Sequence, residues 1–229
     1  MNKSNIICAV LVALGLALGG LFIAMGINKI ATKDRAVTVK GLSTQDVKAD
    51  YVVWPLSFGF LGNDLSALYK DISNMNETVR KFLISKGFAD KDIKQGNISV
   101  TNNWQNYYGD KPEYHYTINS SVIVSTNNVD LVIANQGCQS ELLSKGYLIN
   151  SDEWSLDYQY NGLNELKPQM IEEATKNARA VAQKFADDSN SRLGGIRRAS
   201  QGQFSVEDDQ YQPWIKHVRV VTTVDYFLN

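Results

Sequence analysis

The chain has 229 residues, of which 44% are hydrophobic, 10% aromatic and 21% charged, a composition that excludes an intrinsically disordered protein. The formal net charge of −1 divides into +2 for residues 1–30, which contain Lys3 and Lys29 and no acid, and −3 for the rest. A mildly acidic main part excludes a nucleic-acid-binding protein, because phosphate backbones are bound by clustered lysine and arginine.

The N-terminal segment is apolar. From Ile6 to Ile27 there are 22 consecutive positions without a charged side chain. About 20 apolar residues span a bilayer core, so this run predicts a single transmembrane helix that acts as a signal anchor, with the lipid bilayer as partner. Residues 1–34 would then be a short cytoplasmic tail, the anchor and a linker. The alternative is a signal peptide cleaved near Ala24-Met25-Gly26, although the apolar core of such peptides is usually only about 7–15 residues long.

Two features of this segment bear on topology and assembly. Positive residues flank it on both sides, so charge alone does not fix its orientation. The short N-terminal tail favours an orientation with the C-terminal part outside the cytoplasm. Gly15 and Gly19 form a Gly-x-x-x-Gly pair, and small residues at this spacing let two membrane helices approach closely. The pair predicts a dimerisation contact, against the alternative that glycine is simply common in membrane helices.

The folded part begins with two predicted strands. Residues 37–41 predict a short strand that ends in a turn at Gly41. Residues 49–60 alternate between apolar and other side chains, as a strand with one buried face does. Pro55 in this strand lacks an N–H and therefore predicts a sheet edge or a bulge. The apolar positions of the strand are Val52, Trp54, Leu56, Phe58 and Phe60.

A helix follows. Asp64 is a predicted N-cap, and Gly87 is the predicted stop. Between them the apolar residues recur at intervals of three and four, which indicates a helix with one buried stripe. The stripe consists of Leu65, Leu68, Ile72, Met75, Val79, Phe82 and Leu83.

The next two strands form a predicted hairpin rich in aromatic residues. They cover residues 98–104 and 114–124 and are joined by a polar loop, 105–112. The aromatic cluster is interpreted as a ligand or glycan platform, or as an assembly contact. The alternative is that its members only stabilise the hairpin through cross-strand pairs. The cluster comprises Trp104, Tyr107, Tyr108, Tyr114 and Tyr116.

The second part of the chain has a similar order of elements. Residues 129–145 predict short helical turns, residues 154–160 a strand, and residues 165–190 a long helix ended by Gly194-Gly195. Strands at 196–205 and 216–227 follow, joined by the loop 207–213. The predicted apolar stripe of the long helix is Leu166, Met170, Ala174, Ala178, Val181 and Phe185.

These elements predict an α+β fold in which a transmembrane helix precedes antiparallel sheets, with a long helix packed on each half in two β-α-β-type layers. The domain would cover residues 35–229, divided into a first half, 35–125, and a second half, 126–229.

Recognisable catalytic, cofactor-binding and metal-binding motifs are missing from the sequence, which favours a non-enzymatic protein. His115 and His217 lie on the polar sides of their strands, and metal sites need several converging ligands. The acidic run 207–209 is read as a solvated loop, with loose calcium binding as the alternative. Cys138 is expected to pack as a small buried residue. An alternative function is a hydrolase that uses carboxylates such as Asp50 or Asp157.

Five segments, taken in their order and spacing, form a recognisable pattern. They are Val37-Thr38-Val39-Lys40-Gly41, Ala49-Asp50-Tyr51-Val52-Val53-Trp54, Gly62-Asn63-Asp64-Leu65, Ala174-Thr175-Lys176-Asn177-Ala178-Arg179-Ala180 with Ala182 and Ala186, and Leu193-Gly194. Together they resemble the SIMPL-domain family of bacterial envelope proteins, which includes periplasmic immunogenic proteins. The resemblance covers about residues 35–228 and is greatest in the long helix.

The resemblance implies an extracytoplasmic domain that assembles into large rings or channel-like oligomers and has a link to envelope or oxidative stress. It implies no catalytic residues. With the apolar segment kept, the chain would be a single-pass protein of the bacterial inner membrane with its C-terminal domain in the periplasm; with the segment cleaved, it would be periplasmic. Three functions stay open: self-assembly or partner binding, a channel-like oligomer, and a carboxylate-dependent hydrolase.

Overall fold

A computed structural model describes residues 12–25, 35–105, 109–149 and 155–229. The chain forms two compact units. Unit 1 comprises Met1–Gln45, Leu166–Val206 and Val218–Asn229, and unit 2 comprises Asp46–Glu165 and Glu207–His217. Each unit therefore combines segments that are far apart in the sequence. The described parts of both contain helices and antiparallel strands, which confirms the predicted α+β class.

The described helices are α1 at residues 12–25 and four later ones: α2 (Leu65–Ser85), α3 (Val129–Asn135), α4 (Gln139–Ser144) and α5 (Leu163–Asp188). A 3₁₀ turn covers Asp90–Asp92. The strands are β1 (Ala36–Lys48), β2 (Tyr51–Gly62), β3 (Ile93–Gln95), β4 (Ser99–Asn102), β5 (Tyr116–Thr126), β6 (Asp157–Gln159), β7 (Leu193–Gln201), β8 (Ser205–Asp208) and β9 (Ile215–Leu228).

The predicted membrane segment is only partly described. Residues 12–25 are helical and exposed, and Gly15 and Gly19 lie within them with open space where a Cβ would stand. The remainder of the run from Ile6 to Ile27 lies outside the described residues. Within the described ranges, no helix combines the length and the apolar character needed to span a membrane.

Unit 2 contains a five-stranded sheet in the order β3-β5-β2-β6, with β4 also paired to β5. The inner face of β2 is as predicted, because Val52, Trp54 and Leu56 are completely buried. Helix α2 packs against this sheet and begins as predicted: the Asp64 carboxylate accepts hydrogen bonds from the backbone N–H groups of Ser66 at 2.8 Å and Ala67 at 3.2 Å. An N-cap of this kind satisfies donors that the first helical turn leaves free.

The position of Pro55 agrees with the predicted sheet edge. Pro55 pairs in unbroken register with Ile123 of β5 on one side. On the other side, β6 pairs only with residues 51–53 of β2, so in the described part of the chain no strand flanks Pro55 there. The missing N–H of proline therefore costs no hydrogen bond of the sheet.

Unit 1 contains most of a four-stranded sheet in the order β1-β9-β7, with β8 also paired to β9. The predicted turn at Gly41 is wrong, because β1 continues through it to Lys48. The glycine is needed for close packing instead. A Cβ at Gly41 would lie 1.8 Å from the carbonyl oxygen of Ala174 and 2.6 Å from the backbone nitrogen of Ala178, both in α5.

The predicted buried stripe of α5 is right in its first half and wrong in its second. Ala182 and Ala186 are completely buried, whereas Val181 is 41% and Phe185 55% exposed. Alanines at every fourth position let the helix lie close to the strand, and this close approach decides which face is buried. The helix also ends earlier than predicted, at Asp188, and Asn190 adopts the left-handed conformation there (φ 51°).

Two short strands were not predicted. β3 has only three residues, and β8 begins before the predicted loop 207–213 and extends into it to Asp208. The strand predicted at 154–160 is described only as β6, and Trp154 lies outside the described residues. Strands of three or four residues are too short for alternation to be recognised in a sequence.

Candidate functional site

The most distinctive partly exposed feature of unit 2 is a stack of rings after β4. The Trp104 and His115 rings stack with centroids 4.0 Å apart and planes 13° apart, and His115 also stacks on Tyr116 at 3.8 Å and 26°. The Lys111 ammonium lies 3.4 Å from the centroid of the Trp104 ring, a cation–π contact. We call Trp104, Lys111, Tyr114, His115 and Tyr116 the aromatic surface.

Backbone and amide hydrogen bonds hold this surface in place. The Trp104 indole Nε1 donates to the carbonyl oxygen of Pro112 at 2.9 Å. The Asn103 amide donates to the carbonyl oxygen of Tyr114 at 3.1 Å and to the Thr117 hydroxyl at 2.9 Å. The backbone N–H of His115 donates to the Asn63 side chain at 2.8 Å. The turn between β2 and α2 is thereby linked to the hairpin.

Large apolar side chains stand exposed at the end of β2 and in the first two turns of α2. Leu61 is 59%, Leu65 42% and Tyr69 57% exposed, and we call these three residues the apolar rim. Leu61 pairs with Thr117, which is two residues from His115. Tyr114 in the aromatic surface is itself 40% exposed. Exposed apolar side chains and partly exposed aromatic rings are both typical of binding surfaces.

The structure brings together part of the aromatic cluster predicted from the sequence. Trp104 and Tyr116 lie on either side of His115 in one stack, and Tyr114 precedes His115 in the chain. Tyr107 and Tyr108 lie outside the described residues. His115 was expected to be solvated and instead occupies the middle of the stack, half-buried. The sequence signal for this stacked position was that His115 stands between Tyr114 and Tyr116.

A second polar cluster surrounds His217, which was also expected to be merely solvated. Its Nδ1 lies 2.6 Å from an Asp46 carboxylate oxygen, and its Nε2 lies 3.2 Å from an Asp209 oxygen. The hydrogen bonds to Asp46 and Asp209 raise the pKa of His217 above its ordinary value. Only the imidazolium carries an N–H on both nitrogens, so this geometry favours the protonated ring.

Two residues of the acidic run 207–209, Asp208 and Asp209, are engaged in local contacts. Asp209 accepts from the backbone N–H groups of Tyr211 and Gln212, each at 2.8 Å, and these bonds with the one from His217 lower the pKa of Asp209. Asp208 pairs with Lys216, which is only 3% exposed. In the described ranges, no group of three or more His, Cys, Asp or Glu side chains is arranged to hold a metal ion.

The two carboxylates considered for hydrolysis differ in their surroundings. Asp50 accepts hydrogen bonds from the backbone N–H of Asn161 at 2.9 Å, from the Asn161 amide at 3.0 Å and from the backbone N–H of Gly162 at 3.0 Å. It thereby fixes the turn before α5. Asp157 is exposed and accepts from Gln159.

The cysteine predicted to pack as a small buried residue does so. Cys138 is 8% exposed and has no disulfide partner. Burial raises the pKa of its thiol to about 11, so it is protonated at neutral pH.

The fold and this site define an α+β protein with antiparallel sheets and a partly exposed aromatic surface. A family model for SIMPL, described as a protein of unknown function (DUF541), matches residues 37–220. The match covers well over half of the 229 residues, and the chain belongs to the SIMPL family. The resemblance noted in the sequence is thus confirmed. No curated protein matches the chain at a significant level.

Proposed function

We propose that this SIMPL-family chain is a non-enzymatic protein of the bacterial cell envelope that works by self-association or by binding a partner protein. In this proposal the run from Ile6 to Ile27 anchors the chain in the inner membrane, and residues 35–229 lie in the periplasm. A role in envelope or oxidative stress follows only from the family resemblance and is part of the same proposal.

The observation that supports binding is the aromatic surface together with the apolar rim. Aromatic side chains are enriched at protein interfaces because they bury a large area with few rotatable bonds. The stack of Trp104, His115 and Tyr116 is already ordered by hydrogen bonds, so little conformational entropy would be lost when a partner covers it. Leu61 and Leu65 provide apolar area that solvent now covers.

The anchor has separate support, because 22 uncharged positions exceed the length that a bilayer core requires. A C-terminal alkaline phosphatase fusion tests the topology, since this enzyme is active only outside the cytoplasm. We expect activity in whole cells. Mature protein whose N-terminus begins near Ile27 would instead favour the cleaved form, and an inactive fusion would contradict the periplasmic location.

Self-association is tested by measuring the mass of the full chain, purified in a mild detergent, by native mass spectrometry. We expect an oligomer in the wild type, and a shift toward monomer in the double variant Leu61→Ser/Trp104→Ala. Leu148→Ser is the matched control, because Leu148 is similarly exposed at 66% and belongs to neither surface. Crosslinking in cells then identifies any partner protein.

The proposal fails if the wild type is a strict monomer and crosslinking captures no partner. If the double variant and Leu148→Ser both associate like the wild type, the aromatic surface and the apolar rim are not the site of self-association. The channel-like alternative makes a distinct prediction, a closed ring with a polar lumen in electron micrographs of the full chain. The hydrolase alternative gains no support from Asp50, because backbone and amide donors of the turn occupy its carboxylate.

A further inference from the structure

The outer face of the unit 2 sheet has an open groove of about 260 Å³, separate from the aromatic surface. Its lining comes from β2, β5, β4 and the segment before β4, and none of the lining residues is charged. Five of them bear hydroxyl or amide groups directed away from the core: Ser57, Asn97, Ser99 and Asn119 are exposed, and Ser121 is half-buried. The lining residues are Ser57, Phe58, Asn97, Ser99, Asn119, Ser120 and Ser121.

An irregularity in the sheet shapes one wall of the groove. Gln95 pairs with Val122 and Ser99 pairs with Asn119, so three residues, 96–98, stand opposite two, 120–121. The extra residue makes a β-bulge, a feature that redirects side chains and is frequent beside binding sites. Here it places Asn97 at the groove.

Two glycines make room for two of the polar side chains. A Cβ at Gly59 would lie 2.2 Å from the amide oxygen of Asn119, and a Cβ at Gly96 would lie 2.1 Å from the hydroxyl of Ser121. A larger residue at either position would displace the neighbouring polar group. The positions of Asn119 and Ser121 in the groove therefore depend on the absence of side chains beside them.

The polar groups of the groove are available for a ligand. In the part of the chain that the structure describes, the side chains of Ser57, Asn97, Ser99, Asn119 and Ser121 make no hydrogen bond to another protein group. Hydroxyls and amides both donate and accept, so they match a ligand that does the same. With no charge in the lining, neither an anion nor a cation would be compensated there.

From this chemistry we infer that the groove binds a neutral, hydroxyl-rich oligosaccharide. The Ser and Asn side chains hydrogen-bond to its hydroxyl groups, and the floor at Phe58 and Ser120 limits how deeply a sugar ring enters. The groove and the aromatic surface are different parts of unit 2. The inference therefore goes beyond the proposed assembly function and does not depend on it.

Isothermal titration calorimetry of the full chain in mild detergent tests the inference. The probes are cellohexaose, maltohexaose and chitohexaose, with a heparin hexasaccharide as the charged comparison. We expect saturable binding of at least one neutral probe and none of the charged one. Asn119→Ala should weaken binding about tenfold, the effect of one good hydrogen bond, and Ser99→Ala, the second variant, should weaken it similarly.

Thr101→Ala is the matched control. Thr101 is exposed in the same strand as Ser99 and pairs with Thr117, two pairs along the strands from Ser99 and Asn119, and it does not line the groove. Its variant should bind like the wild type. The inference is overturned if no neutral probe binds, or if Asn119→Ala and Ser99→Ala both bind as the wild type does. Binding that is lost only in Trp104→Ala would place the sugar on the aromatic surface and equally overturn it.

Discussion

Replacing Gly41 by alanine should destabilise unit 1 strongly, because backbone atoms occupy the space that the methyl group needs. A Cβ there would stand 1.8 Å from the carbonyl oxygen of Ala174, and real Cβ contacts do not come closer than 3.0 Å. Helix α5 would have to move from β1 by at least about 1.2 Å, and a gap of even 0.5–1 Å forfeits roughly a quarter to a half of each dispersion contact.

We expect the free energy of unfolding to fall by about 3 kcal/mol, the upper end of the range for overpacked sites, because no flexible side chain can absorb the clash. For a folded part of this size, 1 kcal/mol shifts the melting temperature by about 2–4 °C, so we expect a decrease of about 6–12 °C. Far-ultraviolet circular dichroism during heating or urea unfolding measures it, because α5 contributes 26 helical residues to the signal.

Gly195→Ala is the control, since Gly195 lies in β7 of the same unit and, apart from its chain neighbours, no residue has a heavy atom within 4 Å of its ideal Cβ. Its stability should stay within about 0.5 kcal/mol of the wild type, as for most surface substitutions. If Gly41→Ala unfolds at the same temperature as Gly195→Ala, the close contact between β1 and α5 is not a determinant of stability.

Three further predictions concern unit 2. The raised pKa of His217 means that its stabilisation is complete below the ordinary value of about 6.5 and is lost as pH rises through the folded-state pKa. We therefore expect urea unfolding at a series of pH values to show that the wild type is more stable than His217→Gln, with a difference that is largest at low pH and shrinks as pH rises. A difference that does not change with pH would contradict the contact of His217 with two carboxylates. Asp50→Asn should lower the free energy of unfolding in urea by about 1–3 kcal/mol, because it weakens charge-assisted hydrogen bonds to the turn at Asn161. Asp157→Asn, the control at an exposed carboxylate, should change it little. The Cys138 thiol should react with a disulfide reagent much more slowly in the folded chain than in urea, as peptide mapping of the label can show, and equal rates would disprove its burial.

The sequence predicted those elements whose buried faces consist of large apolar residues. In α2, Leu68, Ile72 and Val79 mark the buried stripe unambiguously, and Asp64 supplies a capping group at its start. In β2, alternation identified the inner face correctly. Both patterns depend only on local geometry, which repeats every 3.6 or 2 residues.

Features that depend on contacts between distant segments could not be predicted in this way. Ala182 and Ala186 are buried in preference to Val181 and Phe185 because α5 approaches a strand at Gly41. Hydrophobicity alone favours the larger residues, so the helix face was assigned wrongly where packing distance decided it. The small residues were visible in the sequence, but their partner was not.

In the candidate site, too, features formed by neighbours in the chain could be predicted and features formed by distant segments could not. The aromatic residues around the hairpin could be recognised as a group, because they are neighbours in the chain. The contact of His217 with Asp46 joins residues 171 positions apart, and no spacing in the sequence indicates it. The groove likewise depends on the register between β3, β4 and β5, which only the paired strands reveal.

The pairing of β1 with β9 has a consequence for how the protein is made. The first strand of the sheet starts at Ala36 and its neighbour ends at Leu228, so almost the whole chain must be synthesised before the two can meet. Nascent chains emerge N-terminus first at roughly 5–20 residues per second, and sheets built from such distant segments form slowly. For about 10–40 seconds, the backbone groups of β1 therefore stay without their β9 partners, a period in which binding by a chaperone would protect them most.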